Sequence, residues 1–187
     1  MSKFLNFPNA IPKLLGEVVY LRELSEEDIP AWFERASDHE SADLAGDSIP
    51  ESAEMGFSWL QRHREQFRRQ TGIRWAIVPQ GLAASVGTIG LTITSTEERI
   101  AEIGFVIGRA YWGKGLGTAA AQLVTHYAFH TLGLAEIQAE VLQRNLASRR
   151  VLEKLGFQLE RDLPGDSQAE MGSEDCYLYV LPKPPPR

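Results

Sequence analysis

The segment 113–117, GKGLG, places glycine at three alternate positions between an apolar run and a helical pattern. The run AEIGFVIG (101–108) is typical of a strand, and TAAAQLVTHYAFHTLGL (118–134) is typical of a helix. At the start of a helix the first backbone amides have no partners within the helix, and the helix dipole is positive there. This end of a helix binds phosphate groups. The pattern therefore predicts a phosphate-binding loop, to which Lys114 adds a cation.

Two common nucleotide-binding motifs come close to this loop, and neither fits it. Residues 108–115, GRAYWGKG, nearly match G-x-x-x-x-G-K-[ST], but Gly115 stands where the magnesium-binding hydroxyl would be. The dinucleotide motif needs G-x-G-x-x-G, whereas the glycines here are spaced G-x-G-x-G. Both motifs are therefore excluded, and the loop must serve another phosphate compound.

Residues 112–117 and the later segment 145–157 together resemble the GCN5-related N-acetyltransferase (GNAT) superfamily. The loop is similar to the coenzyme A loop of that family, [Q/R]-x-x-G-x-[G/A], with Trp112 in place of the Gln or Arg. The later segment is similar to N-x-x-S-x-x-V-x-x-K-x-G-F, which is matched by Asn145, Ser148, Val151, Lys154, Gly156 and Phe157. Within the superfamily the chain looks most like the Rim-type branch, which acetylates ribosomal-protein N-termini and whose relatives modify small amines.

The resemblance implies acetyl-CoA as the acetyl donor and places it on two parts of the chain. The pyrophosphate would lie on the amides of Trp112, Gly113, Lys114, Gly115, Leu116 and Gly117, and the pantetheine alongside Phe105, Val106 and Ile107. The backbone N–H of Val106 or Ile107 would then stabilise the oxyanion. Asn145 has two compatible roles, as the N-cap of a helix and as a hydrogen-bond partner of the pantetheine.

Glu102 is the candidate general base, because it occupies the position of the catalytic glutamate in the histone-acetylating branch. The alternative is a strand carboxylate that pairs with an arginine across the sheet, and for an α-amine a water could act instead. Many family members place a tyrosine acid at the position of Leu152, so Ser148 is the candidate acid here, unless it is an ordinary helix serine. The other proton donors open at this point are Tyr111, Tyr177 and Tyr179.

The acceptor half of the site is predicted from a polar linker, residues 37–50, and from the start of the helix that we predict at about 51–70. The family builds its acceptor pocket there, and the stretch is rich in acids that would suit a cationic small molecule or a protein N-terminus. Solvated surface charge is the alternative. The acids in question are Asp38, Glu40, Asp43, Asp47, Glu51 and Glu54.

The composition of the 187-residue chain limits which other classes of partner and which chemistry we expect. The formal net charge of −6 and the scattered basic residues predict no direct nucleic-acid binding. The single cysteine, Cys176, excludes an internal disulfide and has no nucleophilic context, which favours direct acetyl transfer. We expect no membrane segment, a cytoplasmic location, and no metal, since His126 and His130 lack a third ligand. Monomer and homodimer both remain open.

The order of predicted strands and helices indicates a single α/β domain. The resemblance implies a mixed, mostly antiparallel sheet of about seven strands flanked by about four helices. We expect a loosely attached N-terminal arm at 1–15, an N-acetyltransferase domain at 16–181 and a proline-rich tail at 182–187. The alternative function is a non-catalytic acyl-CoA-binding or interaction module, because Trp112 and Leu152 depart from the family pattern.

Overall fold

Short apolar segments spread along the chain pair into one eight-stranded sheet. The computed structural model describes residues 5–165 and 174–185. The strands are β1 (Leu14–Leu15), β2 (Val19–Glu23), β3 (Gly72–Pro79), β4 (Gly87–Ser95), β5 (Ile100–Ile107), β6 (Glu136–Leu142), β7 (Gln158–Leu163) and β8 (Cys176–Pro182). Their order in the sheet is β1-β2-β3-β4-β5-β6-β8-β7, and β5–β6 is the parallel pair. The mixed, mostly antiparallel sheet expected from the sequence is confirmed.

Five α-helices cover the two faces of this sheet. They are α1 (Ile29–Ala36), α2 (His39–Ala45), α3 (Met55–Arg68), α4 (Leu116–Tyr127) and α5 (Leu146–Lys154). A π-helical turn, Ala128–Leu132, continues α4. In the described ranges no helix is both long enough and apolar enough to cross a membrane.

The structure has one strand and one helix more than the sequence predicts. The added strand, β1, pairs with Tyr20 and Leu21 of β2. Because β1 has only two residues, no hydrophobic periodicity in the sequence could reveal it. The added helix, α2, lies inside the predicted polar linker. Asp38 caps it by accepting a hydrogen bond from the Ser41 amide at 2.9 Å, and Gly46 ends it with a positive φ of 70°. Local capping therefore makes a helix where the polar composition indicated a loop.

The N-terminal arm is attached more firmly than the sequence suggested. The backbone N–H of Asn6 donates to the Leu132 carbonyl at 2.9 Å, and the Trp75 indole donates to the Pro12 carbonyl at 2.9 Å. Apolar side chains of the arm pack against the main core, namely Leu5, Phe7, Ile11 and Leu14. Residues 1–4 of the arm, residues 166–173 before β8 and residues 186–187 of the tail lie outside the described residues.

The sheet divides between its two central strands. Strand β5 is paired with β4 along its whole length, but with β6 only from Ile100 to Glu102. Beyond Glu102 the two parallel strands separate, so residues 103–107 pair with no strand of the described ranges on that side. We call this opening between β5 and β6 the gap.

Strand alternation gives the two faces of β5 different neighbours. Ala101 and Ile103 are buried in the main core together with Ala120 and Ala121 of α4. Val106 faces the opposite side, where it lines a cavity under α1, α2 and α3. The gap therefore lies between two separate environments, with α4 on one face and the three early helices on the other.

A buried carboxylate joins the first helical segment to the sheet. Asp28, which is 2% exposed, accepts two hydrogen bonds from the Arg22 guanidinium, one from the Ser25 amide and one from the Ser85 hydroxyl at 2.7 Å. Burial alone would raise the pKa of Asp28, but these donors together hold it below its ordinary value. The charged form of Asp28 therefore stabilises the fold.

Replacing Asp28 with asparagine is expected to lower the free energy of unfolding by about 2 kcal/mol, the scale of hydrogen bonds to a charged group. The native pKa of Asp28 is depressed, so its contribution is complete above the unfolded-state pKa and is lost as the pH falls through the native one. Urea unfolding at pH 7 and in the acidic range measures both effects. A variant whose stability deficit stays constant down to pH 2 would contradict this account.

Candidate active site

The edge of β5 that faces the gap carries free backbone groups. The Gly108 amide donates to the Val86 carbonyl at 2.8 Å, which directs the backbone of Gly108 towards β4. Successive residues of a strand direct their backbone groups to opposite edges, so Val106 also faces β4 while Phe105 and Ile107 face the gap. The amide suited to the oxyanion is thus that of Ile107, and Val106 contributes its side chain to the other face of the sheet.

The glycine loop leads directly from this edge into α4. Gly113 and Gly115 have φ values of 73° and 74°, and Gly115 is the N-cap of α4. Within the described chain, the amides of residues 113–118 make no backbone hydrogen bond. Successive free amides around left-handed glycines form a concave anion site, and the positive end of the α4 dipole adds to it. The loop therefore has the chemistry that a pyrophosphate needs.

Two side chains of the loop connect it to its surroundings. The Trp112 indole donates to the Ile107 carbonyl at 2.6 Å, so the residue that departs from the family pattern fixes the loop to the end of β5. The Lys114 ammonium lies 5.1 Å from the centre of the Tyr111 ring. Trp112 thus has a structural role, and Lys114 remains at the loop as a cation.

The last two loop residues contribute through the backbone. Leu116 is 8% exposed and its side chain belongs to the main core, which leaves its amide for a ligand. A Cβ on Gly117 would lie 3.6 Å from Phe105 and 3.8 Å from Ile107, an ordinary contact distance. Gly117 is therefore close to the apolar face of β5, and an alanine would fit there.

Glu102 lies where β5 and β6 separate. Burial raises the pKa of its carboxyl group, the negative charge of Glu140 adds to this, and the Arg74 guanidinium opposes it. Among the described residues it forms no salt bridge, so the arginine pairing considered as an alternative is not seen at Glu102. A carboxyl group with a raised pKa at the point of the gap can accept a proton at neutral pH.

The other side of the gap is formed by the start of α5. Asn145 caps this helix, with its side-chain oxygen accepting from the Ser148 amide at 3.1 Å, while its side-chain amide donates to the Leu44 carbonyl at 2.9 Å. The N-cap role of Asn145 is therefore present, and its side-chain NH2 group binds α2 through the Leu44 carbonyl. Ser148 is half-buried in the first turn of α5. Leu152 is 1% exposed in the main core, so no acid can act from the usual tyrosine position.

The three tyrosines considered as proton donors differ in their surroundings. The Tyr179 hydroxyl donates to Glu153 at 3.0 Å and accepts from Arg149 at 3.3 Å. The Tyr177 ring stacks under the Arg149 guanidinium, and the Tyr111 ring faces Lys114. The Tyr179 hydroxyl is therefore engaged, whereas no hydrogen bond to a described residue occupies the hydroxyls of Ser148, Tyr111 and Tyr177. Ser148 stays the candidate donor that the resemblance indicates.

Helix α2 and its N-cap residue carry three of the six acids expected to bind the acceptor, and these three form ion pairs across the entrance of the gap. Its ion pairs reach Arg109 after β5 and Arg144 after β6, and they involve Asp38, Glu40 and Asp43. Glu51 and Glu54 are exposed, and Asp47 alone of this set lines the cavity under the early helices. These acids do not converge on one acceptor position, so the reason for expecting a cationic acceptor is lost.

The cavity beneath these helices has a volume of about 70 Å³ and ends at Val106. Two arginines line it, and desolvation lowers the pKa of both Arg35 and Arg74 to about 10, so both are cations at neutral pH. Burial raises the pKa of Asp47, although the arginines oppose this shift. The remaining lining residues are Trp32, Ala36, Ser41, Ala42, Ala45, Trp59 and Thr88.

Sequence reasoning missed this basic cavity. A charged residue at position 74 of the apolar run 73–79, IRWAIVP, was the available signal, because such runs rarely contain an arginine without a function.

Among the described residues, no group of three or more His, Cys, Asp or Glu side chains could hold a metal. The site therefore consists of a gap with a glycine loop on one face and a basic cavity on the other.

A sheet that opens beside a glycine loop at a helix start is the architecture of an acyl-CoA-dependent acyltransferase. The family model described as "Acetyltransferase (GNAT) domain" matches residues 19–158. The chain belongs to this family, and its activity is that of an N-acetyltransferase.

Three similar proteins illustrate the relationship. YoaA of Bacillus subtilis, named as an uncharacterized N-acetyltransferase, is 32% identical over 173 residues, which cover 92% of this chain and 98% of YoaA. The GNAT-family acetyltransferase of Bacillus anthracis has a TM-score of 0.80 at 22% identity and covers 92% and 99% of the two chains. RimL, a ribosomal L7/L12 alpha-N-protein acetyltransferase in complex with coenzyme A, has a TM-score of 0.79 at 19% identity, covering 91% and 98%. At these identities the two structures show a shared fold.

Proposed function

We propose that this N-acetyltransferase transfers an acetyl group directly from acetyl-CoA to a primary amine of a small molecule or a protein N-terminus. The observation that carries the proposal is the free edge of β5, which begins just after Glu102 and leads into the glycine loop. One continuous path thus offers a proton acceptor, amides for the thioester and pantetheine, and amides for the pyrophosphate. No covalent enzyme intermediate is needed.

The donor is held by backbone groups in this proposal. The amides of residues 113–117 bind the pyrophosphate, whereas the Trp112 amide, expected to join them, donates to the Arg109 carbonyl at 3.1 Å. The free groups of Phe105 pair with the pantetheine as a neighbouring strand would, and the Ile107 carbonyl is held by the Trp112 indole. Val106 lies on the opposite face and forms the wall between donor and acceptor. Asn145 positions the first turn of α5 through its N-cap bond.

The proton steps follow from the two sides of the gap. The Glu102 carboxylate accepts the proton that the attacking amine loses, directly or through a water. The Ile107 amide stabilises the oxygen of the thioester carbonyl as negative charge develops on it. The Ser148 hydroxyl donates a proton to the departing thiolate sulfur, and solvent replaces that proton on Ser148.

Removing the Ser148 hydroxyl is expected to lower kcat about tenfold, because water can also protonate a thiolate. The Ser148→Ala change keeps the amide that Asn145 caps, so the KM for acetyl-CoA should stay unchanged. Steady-state kinetics with thiol detection between pH 6 and 9 measures the effect. A kcat equal to that of the unaltered protein across this range would remove Ser148 from the mechanism.

Release of free coenzyme A tests the proposed function against the alternative of a non-catalytic acyl-CoA-binding module. The protein is incubated with acetyl-CoA and a panel of small amines, amino acids, polyamines and peptides with free N-termini. Acetylated product and equimolar thiol are expected with at least one class. Tight binding of acetyl-CoA without turnover on any acceptor would establish the binding module instead.

A further inference from the structure

The cavity under α1, α2 and α3 lies on the face of the sheet opposite the glycine loop. Val106 lines the cavity, whereas Phe105 and Ile107 lie near Gly117 of the loop on the other face. A phosphate bound at the start of α4 is therefore separated from the cavity by the sheet. The cavity is available to the acceptor, which must approach the thioester at the gap.

Polar groups in this cavity lack protein partners. Arg35 is 8% exposed and forms no hydrogen bond or ion pair with any described residue. Ser41 is 3% exposed, and its hydroxyl likewise has no partner in the described ranges. Buried donors without partners are costly, so their presence in a cavity points to a ligand that accepts from them.

Arg74 reaches the same cavity across two glycines. Arg74, Gly90 and Gly104 lie side by side on β3, β4 and β5. A Cβ on Gly90 would lie 3.0 Å from the Arg74 Nε, and one on Gly104 would lie 3.8 Å from its Nη2. Because neither glycine has a side chain, the sheet surface stays open there, and the Arg74 guanidinium extends over it towards β5. Its one side-chain hydrogen bond among the described residues, to Thr88, is a weak 3.3 Å.

We propose that the amine acceptor carries a carboxylate, which Arg35, Arg74 and Ser41 bind in the cavity beside Val106. This inference rests on the proposed function, since it assigns the substrate class of the same site. Two guanidinium groups and a hydroxyl offer more donors than a carboxylate needs, and Asp47 is the single acid that lines the cavity. The volume of about 70 Å³ has room for a carboxylate group.

The first experiment compares each acid with its amide. Initial rates of thiol release are measured for α-amino acids of different side chains, β-alanine and γ-aminobutyrate, and for the primary amide of each. Peptides that begin with glutamate or glutamine separate a free amino acid from an acidic N-terminus as the source of the carboxylate. For the favoured chain length, kcat/KM of the acid should exceed that of its amide about 100-fold, since the amide leaves the guanidinium groups unpaired.

Two variants locate this selectivity. Arg74→Gln should lower the acid-to-amide ratio of kcat/KM about 100-fold, while Arg68→Gln, an exposed change at the end of α3, should leave it unchanged. Ser41→Ala removes a buried hydroxyl without a partner, so it should fold normally and raise the KM of the acid about fivefold. A variant that merely misfolds lowers both rates and leaves the ratio intact, so misfolding cannot imitate the expected result.

The possible outcomes distinguish a failure of the carboxylate site from a failure of the proposed N-acetyltransferase function. Equal kcat/KM for acids and amides, or an Arg74→Gln variant that keeps the selectivity, would overturn the carboxylate site while the N-acetyltransferase proposal stands. Acetyl-CoA binding without turnover on any acceptor would overturn both. A preference for polyamines over amino acids would also refute the inference, because it would show that the two arginines do not select the acceptor.

Discussion

Replacing Glu102 with glutamine is expected to lower kcat about 1,000-fold near pH 6, within the range of general-base catalysis. The carboxyl group lies where β5 and β6 separate, and its pKa is raised by burial and by Glu140. A base with a raised pKa loses its charge at a higher pH than an ordinary glutamate, so the rate should rise with pH through that value. The loss caused by glutamine should shrink at high pH, where the amine is already unprotonated.

Glu140 provides the matched control for this prediction. The Glu140→Gln change removes a charge that raises the pKa of Glu102, so the acidic limb of the kcat profile should move to lower pH while the maximum stays similar. Stopped-flow thiol detection across pH 5.5–9.5 measures both profiles. If Glu102→Gln keeps the activity and the pH profile of the unaltered protein, a water is the base and Glu102 is not catalytic.

Replacing Gly115 with valine is expected to weaken acetyl-CoA binding about 1,000-fold. Gly115 has a φ of 74° at the N-cap of α4, a conformation that a β-branched residue avoids. Its replacement should reorient the free amides of the loop. The loss of two charge-assisted hydrogen bonds costs about 4 kcal/mol, which corresponds to about three powers of ten in affinity. Isothermal titration calorimetry with acetyl-CoA measures this change.

Gly81 offers a control with the same backbone requirement at a distance from the site. It has a φ of 84° in the turn between β3 and β4, and like Gly115 it has no atom within 4 Å of an added Cβ. Valine at either position should therefore cost a similar free energy of unfolding. Only the change at Gly115 should affect acetyl-CoA, and equal affinity losses for both variants would show that binding responds to stability alone.

The conformation of the glycine loop that we propose for the donor could be predicted from the sequence because it depends on local backbone chemistry. Glycine at positions 113 and 115 is required by positive φ values, and the helical run that follows fixes the direction of the free amides. The segment from Asn145 added a second, independent match to the family. Such features are contiguous along the chain, so their spacing alone carries the information.

The acceptor half could not be predicted, because its residues come from separate elements. Six acids close together in the sequence suggested a cationic acceptor, yet Asp38, Glu40 and Asp43 pair with Arg109 and Arg144 across the entrance of the gap. Helix α2, which carries Glu40 and Asp43 and is capped by Asp38, was itself predicted as a linker. Charge density along the chain therefore misled, since these ion pairs form between residues that lie far apart in the sequence.

The sequence by itself determined the family, the fold class and the glycine loop that we propose for the donor, since these depend on motifs and on short-range periodicity. The tertiary structure alone decided the charge of the cavity that we propose for the acceptor. Arg35 comes from α1 and Arg74 from β3, and the register of Gly90 with Gly104 leaves room for the Arg74 guanidinium to reach β5. Sheet register and helix packing bring these residues together, and neither is encoded in the spacing of residues along one segment.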